Sequence, residues 1–197
     1  MPGPATTWIS RFYATLGDDR AATDELRDAS LASELGRWTS SLTTVVVRTF
    51  EALGMPTTAK GHRCTVLPVK QHEYLGQDVM AFPAGGAGWQ FPVAMCELEN
   101  SASDERVAYS LWKVLCVRCQ LRLVFCYRAE PKACLPLVVW LGTSVVKPMP
   151  IAERASLTGE TVVVVGSRDE ASTFPYGFIQ AWKLNTNTGL FERLSRE

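Results

Sequence analysis

The stretch Phe91-Pro-Val-Ala-Met-Cys-Glu-Leu-Glu-Asn100 decides the fold. It begins as a short apolar run, typical of a buried strand, and it ends in two glutamates and an asparagine that can cap a helix. Apolar side chains at helical spacing follow as far as Val117, and a second apolar run occupies residues 121–127. The pattern predicts a strand, a helix and a strand, a unit that normally makes its two strands parallel and adjacent.

Upstream of this unit, the sequence predicts one helix and two more strands. The helix is expected from Thr39 or Ser40 to about residue 53, where a glycine and a proline follow. The apolar pattern then changes to period two, which predicts strands at residues 63–69 and 78–82. The middle of the chain therefore reads helix, strand, strand, strand, helix, strand.

The two ends of the chain have different patterns. Trp8, Phe12 and Leu16 recur at i, i+4 and i+8, which predicts an amphipathic helix, and a second helix is expected to end near Gly36. Near the other end, the β-branched run at residues 160–166 predicts a buried strand, and residues 176–191 fit a hairpin. The apolar run at residues 135–141 fits either a helix or a strand.

Composition limits the class of protein. An apolar content of 47% supports a real core, yet the longest apolar runs fall far short of the roughly 20 residues that span a membrane. The 20 basic residues equal the 20 acidic ones, which argues against coating nucleic acid through bulk charge. The six cysteines lie mostly in apolar segments and the start of the chain resembles no secretory signal, so we expect reduced thiols and a cytoplasmic protein.

Three acidic side chains stand out in the middle of the chain. Asp78 opens one predicted strand, and Glu97 and Glu99 close the next. Glu97 and Glu99 are two residues apart on a strand, so their side chains share one face and can converge on one ion. Neighbouring carboxylates repel unless a divalent cation joins them, and hard oxygen ligands suit Mg²⁺ or Mn²⁺.

The order of elements, together with Asp78 and the Glu-x-Glu sequence, resembles the PD-(D/E)xK nucleases over about 70 residues. The resemblance implies an α/β fold with a restriction endonuclease-like αβββαβ core, in which helices flank a central mixed sheet. It implies Asp78, Glu97 and Glu99 as metal-binding and catalytic residues that use Mg²⁺ or Mn²⁺ to hydrolyse phosphodiesters of DNA. A homodimer is possible in such a family, and no membrane is implicated.

One domain is expected over residues 1–197. Within it, residues 1–38 would form an N-terminal helical extension, residues 39–128 the nuclease-like core, and residues 129–197 C-terminal strands that complete the sheet.

The sequence departs from the family pattern where the motif has lysine, because Glu99 stands there. Lys113, on the following helix, is a candidate catalytic substitute for the missing positive charge, or else a surface lysine beside Trp112. Glu51, late on the first core helix, matches the extra metal ligand of some family members, or else is a solvated helix residue.

Two other functions remain open from the sequence. The glutamate at the lysine position and the neutral net charge both fit a catalytically inactive nuclease fold that binds nucleic acid or protein. A different α/β fold would instead use exposed aromatic residues near Trp89 or Trp182 as a protein interface, and it would place Asp78 far from Glu97.

Overall fold

Residues 4–52 form three helices, because apolar residues recur at helical spacing in this part of the chain. The computed structural model describes residues 2–69, 71, 73–86 and 88–194. Helix α1 (Pro4–Asp18) buries Trp8, Phe12 and Leu16, as their spacing predicts. Helix α2 (Arg20–Leu31) is capped by Asp19 immediately before it, because the Asp19 carboxylate accepts a hydrogen bond from the N–H of Ala22 at 3.0 Å.

Helix α3 (Leu35–Ala52) begins one turn earlier than the sequence pattern predicts. The extra turn contains Trp38, whose indole N–H donates a 2.8 Å hydrogen bond to the hydroxyl of Tyr127 and whose ring packs on Phe178. This long-range burial is invisible in the local pattern. The predicted boundary after residue 38 therefore falls inside a helix.

Seven strands and three further helices follow. The strands are β1 (Thr57–Ala59), β2 (Val79–Ala81), β3 (Ala94–Leu98), β4 (Leu121–Arg128), β5 (Glu160–Ser167), β6 (Ile179–Asn185) and β7 (Leu190–Arg193). The further helices are α4 (Asp104–Leu115), α5 (Cys134–Leu141) and α6 (Ile151–Ala155), with a π-helical turn at Gly142–Val146 and short 3-10 turns at Tyr74–Gly76, Pro131–Ala133 and Arg168–Thr173. The ambiguous apolar run at residues 135–141 is thus helical.

The seven strands form one mixed sheet in the order of the chain, β1 to β7. Strands β1, β2 and β3 are antiparallel neighbours, β3, β4 and β5 run parallel, and β5, β6 and β7 are antiparallel. The expected α/β fold, with helices flanking a central mixed sheet, is confirmed. The parallel pairing of β3 with β4 across α4 is also as predicted.

The strand predicted at residues 63–69 is wrong. Strand β1 lies at Thr57–Ala59 instead, directly after α3, and residues 63–69 contain no strand. Pro68 cannot donate to a strand ladder, and Cys64, Val66 and Leu67 pack as a loop against the core. These apolar residues are partly buried like those of a strand, but the loop forms no strand hydrogen bonds, so the sequence pattern predicted a strand wrongly.

Each face of the sheet has its own core. Helices α1, α2 and α3 cover the face that carries Ala94, Cys96 and Leu98 of β3. Helices α4 and α5 cover the opposite face, which carries Met95 of the same strand and Met80 of β2. The alternation along β3 assigns Glu97 to the α4 face, because it is two residues beyond Met95.

Trp182 does not form an exposed interface, because it is buried in β6 on the α4 face. The guanidinium of Arg193 lies 4.6 Å from the centre of its ring. Among the described residues, no helix is both long and apolar enough to cross a membrane.

Phe125 of β4 lies at the centre of an aromatic cluster in the larger core, because its ring is 6.0 Å from that of Trp8 and 5.7 Å from that of Phe12. Phe125→Ala should lower the free energy of unfolding by about 3–5 kcal/mol, since it removes a buried ring and leaves a cavity. The matched control is Phe91→Ala, which truncates a ring that is 86% exposed and should change the value by less than about 0.5 kcal/mol. Urea unfolding measures both, and equal losses would contradict the assignment of the core.

Candidate carboxylate and lysine site

Asp78 and Glu97 face each other across the pair β2 and β3. Asp78 immediately precedes β2, and Glu97 is the next-to-last residue of β3. Val79 pairs with Cys96 in the antiparallel ladder, so one further step places Asp78 opposite Glu97. Both side chains then lie on the α4 face, and directly opposite residues have Cβ atoms about 5 Å apart.

Asp78 is held in this position by the backbone of the neighbouring strand. Its Oδ2 atom accepts a 2.7 Å hydrogen bond from the N–H of Leu98. Burial raises the pKa of Asp78, while the Leu98 N–H and the charge of Lys113 act in the opposite direction. The carboxylate is therefore fixed at the start of β2 and partly desolvated.

Lys113 completes the cluster from the last turn of α4. Its Nζ atom lies 2.7 Å from Oε2 of Glu97 and also donates a 2.7 Å hydrogen bond to the carbonyl of Gly76. The side chain of Lys113 is only 23% exposed. Lys113 is therefore directed into the site and is not a freely solvated surface lysine.

Glu97 is the most deeply buried of these charged groups, with 4% of its surface exposed. Burial, assisted by the negative charge of Asp78, raises its pKa to about 7, although the hydrogen bond from Lys113 acts to lower it. Its second oxygen, Oε1, is buried and accepts no hydrogen bond from the described residues. Because this oxygen is shielded from water, a ligand would reach it only after neighbouring side chains moved.

Glu99 is turned away from this cluster. Its Oε1 atom accepts a 2.7 Å hydrogen bond from the N–H of Ser101, and its Oε2 atom lies 3.7 Å from Nε of Arg106. These contacts fix the loop that leads into α4. Glu99 still acts on Asp78, since its charge helps to raise the pKa of that carboxyl.

Glu51 lies apart from the other candidates. It is exposed in the last turn of α3, the helix that covers the opposite face of the sheet. Its charge contributes to raising the pKa of the Cys64 thiol, after the larger effect of burial. No hydrogen bond or ion pair between the described residues joins Glu51 to Asp78 or Glu97.

The structure therefore brings together part of the set that the sequence predicts. Asp78, Glu97 and Lys113 converge, whereas Glu99 bonds to the adjacent loop and Glu51 is remote. In the described part of the chain, no three His, Cys, Asp or Glu side chains are grouped so that they could hold a metal ion. What remains is a pair of facing carboxylates beside an ammonium group.

Two backbone groups of the site were missed by sequence reasoning. The carbonyl of Gly76 positions Lys113, and the N–H of Leu98 positions Asp78. Almost any residue can supply these backbone groups, so the sequence does not reveal their contacts. The one indirect signal was Gly76, whose φ of 63° favours glycine and marks a turn at this point.

The raised pKa of Glu97 makes stability depend on pH. Its ordinary value is 4.5 and its folded value about 7, so the folded protein binds this proton more tightly than the unfolded chain between those values. The free energy of unfolding should therefore fall as pH rises through that window, by at most about 3 kcal/mol.

Glu97→Gln has no ionisable group at this position, so its free energy of unfolding should not decrease for this reason between pH 4.5 and pH 7. Relative to the wild type, the variant should therefore become more stable as the pH rises through that range. Urea unfolding of both proteins at several pH values measures the difference. Parallel profiles across the window would show that Glu97 ionises without penalty.

Comparison with known proteins identifies no relative. No model of a known family matches the chain. No curated protein and no solved structure matches it either.

Proposed function

We propose that the chain is a metal-dependent nuclease of the PD-(D/E)xK type, with Asp78, Glu97 and Lys113 in the catalytic centre. The observation that carries the proposal is the convergence of two facing carboxylates with a partly buried lysine where β2 begins and β3 ends. Asp78 and Glu97 come from paired strands, and Lys113 lies 2.7 Å from Glu97. Carboxyl groups whose pKa values are raised, as those of Asp78 and Glu97 are, are typical of catalytic centres.

The order and direction of the elements support this assignment. Helix α3, the antiparallel strands β1 to β3, helix α4 and the parallel strand β4 follow the αβββαβ sequence of a restriction endonuclease-like core. Helices α1 and α2 precede this unit, and strands β5 to β7 extend its sheet. Fold likeness alone would not indicate catalysis, so the charged cluster carries the argument.

The donor set fits Mg²⁺ or Mn²⁺. Mg²⁺ commonly keeps several waters and uses only one or two protein carboxylates together with substrate phosphate oxygens. Asp78 and Glu97 provide two such carboxylates, and Oε1 of Glu97 is buried without a hydrogen-bond partner among the described residues. When bound, the metal supplies a Lewis acid for the phosphodiester and a water of lowered pKa.

The role of Lys113 follows from its contacts. An ammonium group has three N–H donors, and Glu97 and Gly76 accept two of them. The third can donate to a phosphate oxygen and offset the charge that develops on it. Lys113 would thus supply from α4 the positive charge that Glu99 does not.

Glu99 stays a predicted additional ligand. To bind a metal, its carboxylate would have to leave the N–H of Ser101 and the side chain of Arg106. DNA as the substrate, cytoplasmic location and a homodimer also remain predictions from the sequence.

The second candidate is a catalytically inactive fold that binds nucleic acid or protein. The observation in its favour is the ion pair itself, because Lys113 already compensates the charge of Glu97 without a metal. The two candidates differ in what happens when Mg²⁺ is added.

Metal binding should require Asp78 and Glu97 and should depend on pH. Because the pKa of Glu97 is about 7, binding at pH 6 must release a proton, and the apparent affinity should rise about ten-fold from pH 6 to pH 8. Calorimetric titration with Mg²⁺ and Mn²⁺ in buffers of different ionisation enthalpy measures both effects. Asp78→Asn combined with Glu97→Gln should abolish binding.

Glu192→Gln is the matched control for that titration, because it changes a strand glutamate on β7, at the far edge of the sheet. It should bind the metal as the wild type does. Absence of binding in a folded wild-type protein would contradict the metal site and favour the inactive fold.

Lys113→Met should separate chemistry from metal binding. Loss of a positioned positive charge should reduce cleavage of single- or double-stranded DNA by roughly 100-fold or more, while metal binding is retained. Lys113→Arg keeps the charge and should retain more activity than Lys113→Met. Equal activity of wild type and Lys113→Met in the presence of Mn²⁺ would exclude Lys113 from the catalytic centre.

A further inference from the structure

A groove lined by aromatic and acidic side chains lies outside the carboxylate and lysine site. One wall is the exposed face of α4, and the other is formed by residues 144–153, which include the end of the π-helical turn and the start of α6. The groove has a volume of about 620 Å³. That size is in the range of sites that bind small molecules or short peptide segments.

Two exposed aromatic rings line the α4 wall of the groove. The rings of Tyr109 and Trp112 are stacked, with centroids 6.0 Å apart and planes 22° from parallel. They are 60% and 55% exposed. Exposed aromatic faces attract cations, most of all the planar guanidinium of arginine, which can also stack on a ring.

Two carboxylates flank the aromatic pair. Glu105 lies one helical turn before Tyr109 on α4, and Glu153 lies on α6 across the groove. The hydrogen bond from the Ser103 hydroxyl lowers the pKa of Glu105, so this carboxylate is ionised at neutral pH. Neither glutamate forms an ion pair with another described residue, and no lysine or arginine is among the residues that line the groove.

These charges select the kind of partner. Phosphate groups of a nucleic acid would be repelled by both carboxylates, although bases could stack on the rings. A guanidinium group satisfies both features together, because it can stack on Trp112 and donate paired hydrogen bonds to a carboxylate. Charge complementarity therefore favours a cationic partner.

The length of the groove indicates a peptide. From Glu105 to Trp112 the α4 wall rises about 10 Å, at 1.5 Å per residue. That distance accommodates about three residues of an extended chain. The opposite wall presents Pro148, Met149 and Pro150, which suit the apolar neighbours of a basic residue.

We propose that this groove binds an extended, arginine-bearing peptide segment of a partner protein. The arginine lies over Trp112 and between the carboxylates of Glu105 and Glu153, and the flanking residues contact the wall at residues 148–150. Lys113 is the next residue after Trp112, but it is turned to Gly76 and Glu97. The partner therefore binds beside the carboxylate and lysine site without occupying it, and the inference goes beyond the proposed nuclease activity.

The probe is a fluorescein-labelled pentapeptide that contains two arginines separated by a proline. Fluorescence anisotropy measures its binding to the full chain. The same peptide with glutamine in place of arginine tests the requirement for charge, and a labelled oligothymidylate tests nucleic acid as the occupant. Trp112→Ala should weaken binding of the arginine peptide about ten-fold. Glu153→Gln should weaken it several-fold, and it leaves the capping contact of Glu105 intact.

Trp89→Ala is the matched control, because Trp89 is 72% exposed in the segment that joins β2 to β3 and does not line the groove. It should leave binding unchanged, and circular dichroism checks that each variant is folded. The proposal is overturned if the arginine peptide does not bind the wild type, if the glutamine peptide binds equally well, or if Trp112→Ala and Glu153→Gln have no effect. The proposal would also be overturned if oligothymidylate competed with the peptide and its binding were lost in Trp112→Ala, since nucleic acid would then be the occupant.

Discussion

The burial of one negative charge, on Glu97, constrains the rest of this structure. A carboxylate at the end of a central strand loses most of its hydration, and an unpaired buried charge would be strongly destabilising. The protein compensates with Lys113, 2.7 Å away on α4. That pair adds to the apolar packing that holds α4 over the sheet, in which Val107, Leu111 and Val114 are fully buried.

Helix α4 is anchored at both ends, so that Lys113 reaches Glu97 from a fixed position. At its start, the Ser103 side chain accepts a hydrogen bond from the N–H of Arg106 and Asp104 pairs with Arg128 of β4. After its end, the buried Arg122 donates to the carbonyls of Val117, at 3.0 Å, and Thr158, at 2.9 Å. Truncation of a side chain at either end would therefore act on the site through the position of the helix.

Much of the architecture could be predicted from the sequence, because periodicity reports burial directly. The strand, helix and strand around residues 91–127 follow from alternation on β3 and helical spacing on α4. The segment at residues 63–69 has the same apolar character without strand hydrogen bonds, so the pattern failed there. The start of α3 was missed because the contact of Trp38 with Tyr127 joins residues 89 positions apart. Long-range contacts and backbone partners such as the Gly76 carbonyl have no local signal.

The same physical conflict at Glu97 connects the stability of the site with its proposed chemistry. Burial and the facing Asp78 oppose ionisation of Glu97, whereas Lys113 favours it, and the balance brings its pKa to about 7. Near neutral pH, a proton, the ammonium group and a divalent cation would therefore compete for the same two oxygens. Because Lys113 is held independently by the carbonyl of Gly76, a cation that displaced it from Glu97 would leave its charge within the site. In the proposed nuclease, that charge would face the phosphodiester, so the ion pair is compatible with the proposed catalytic centre.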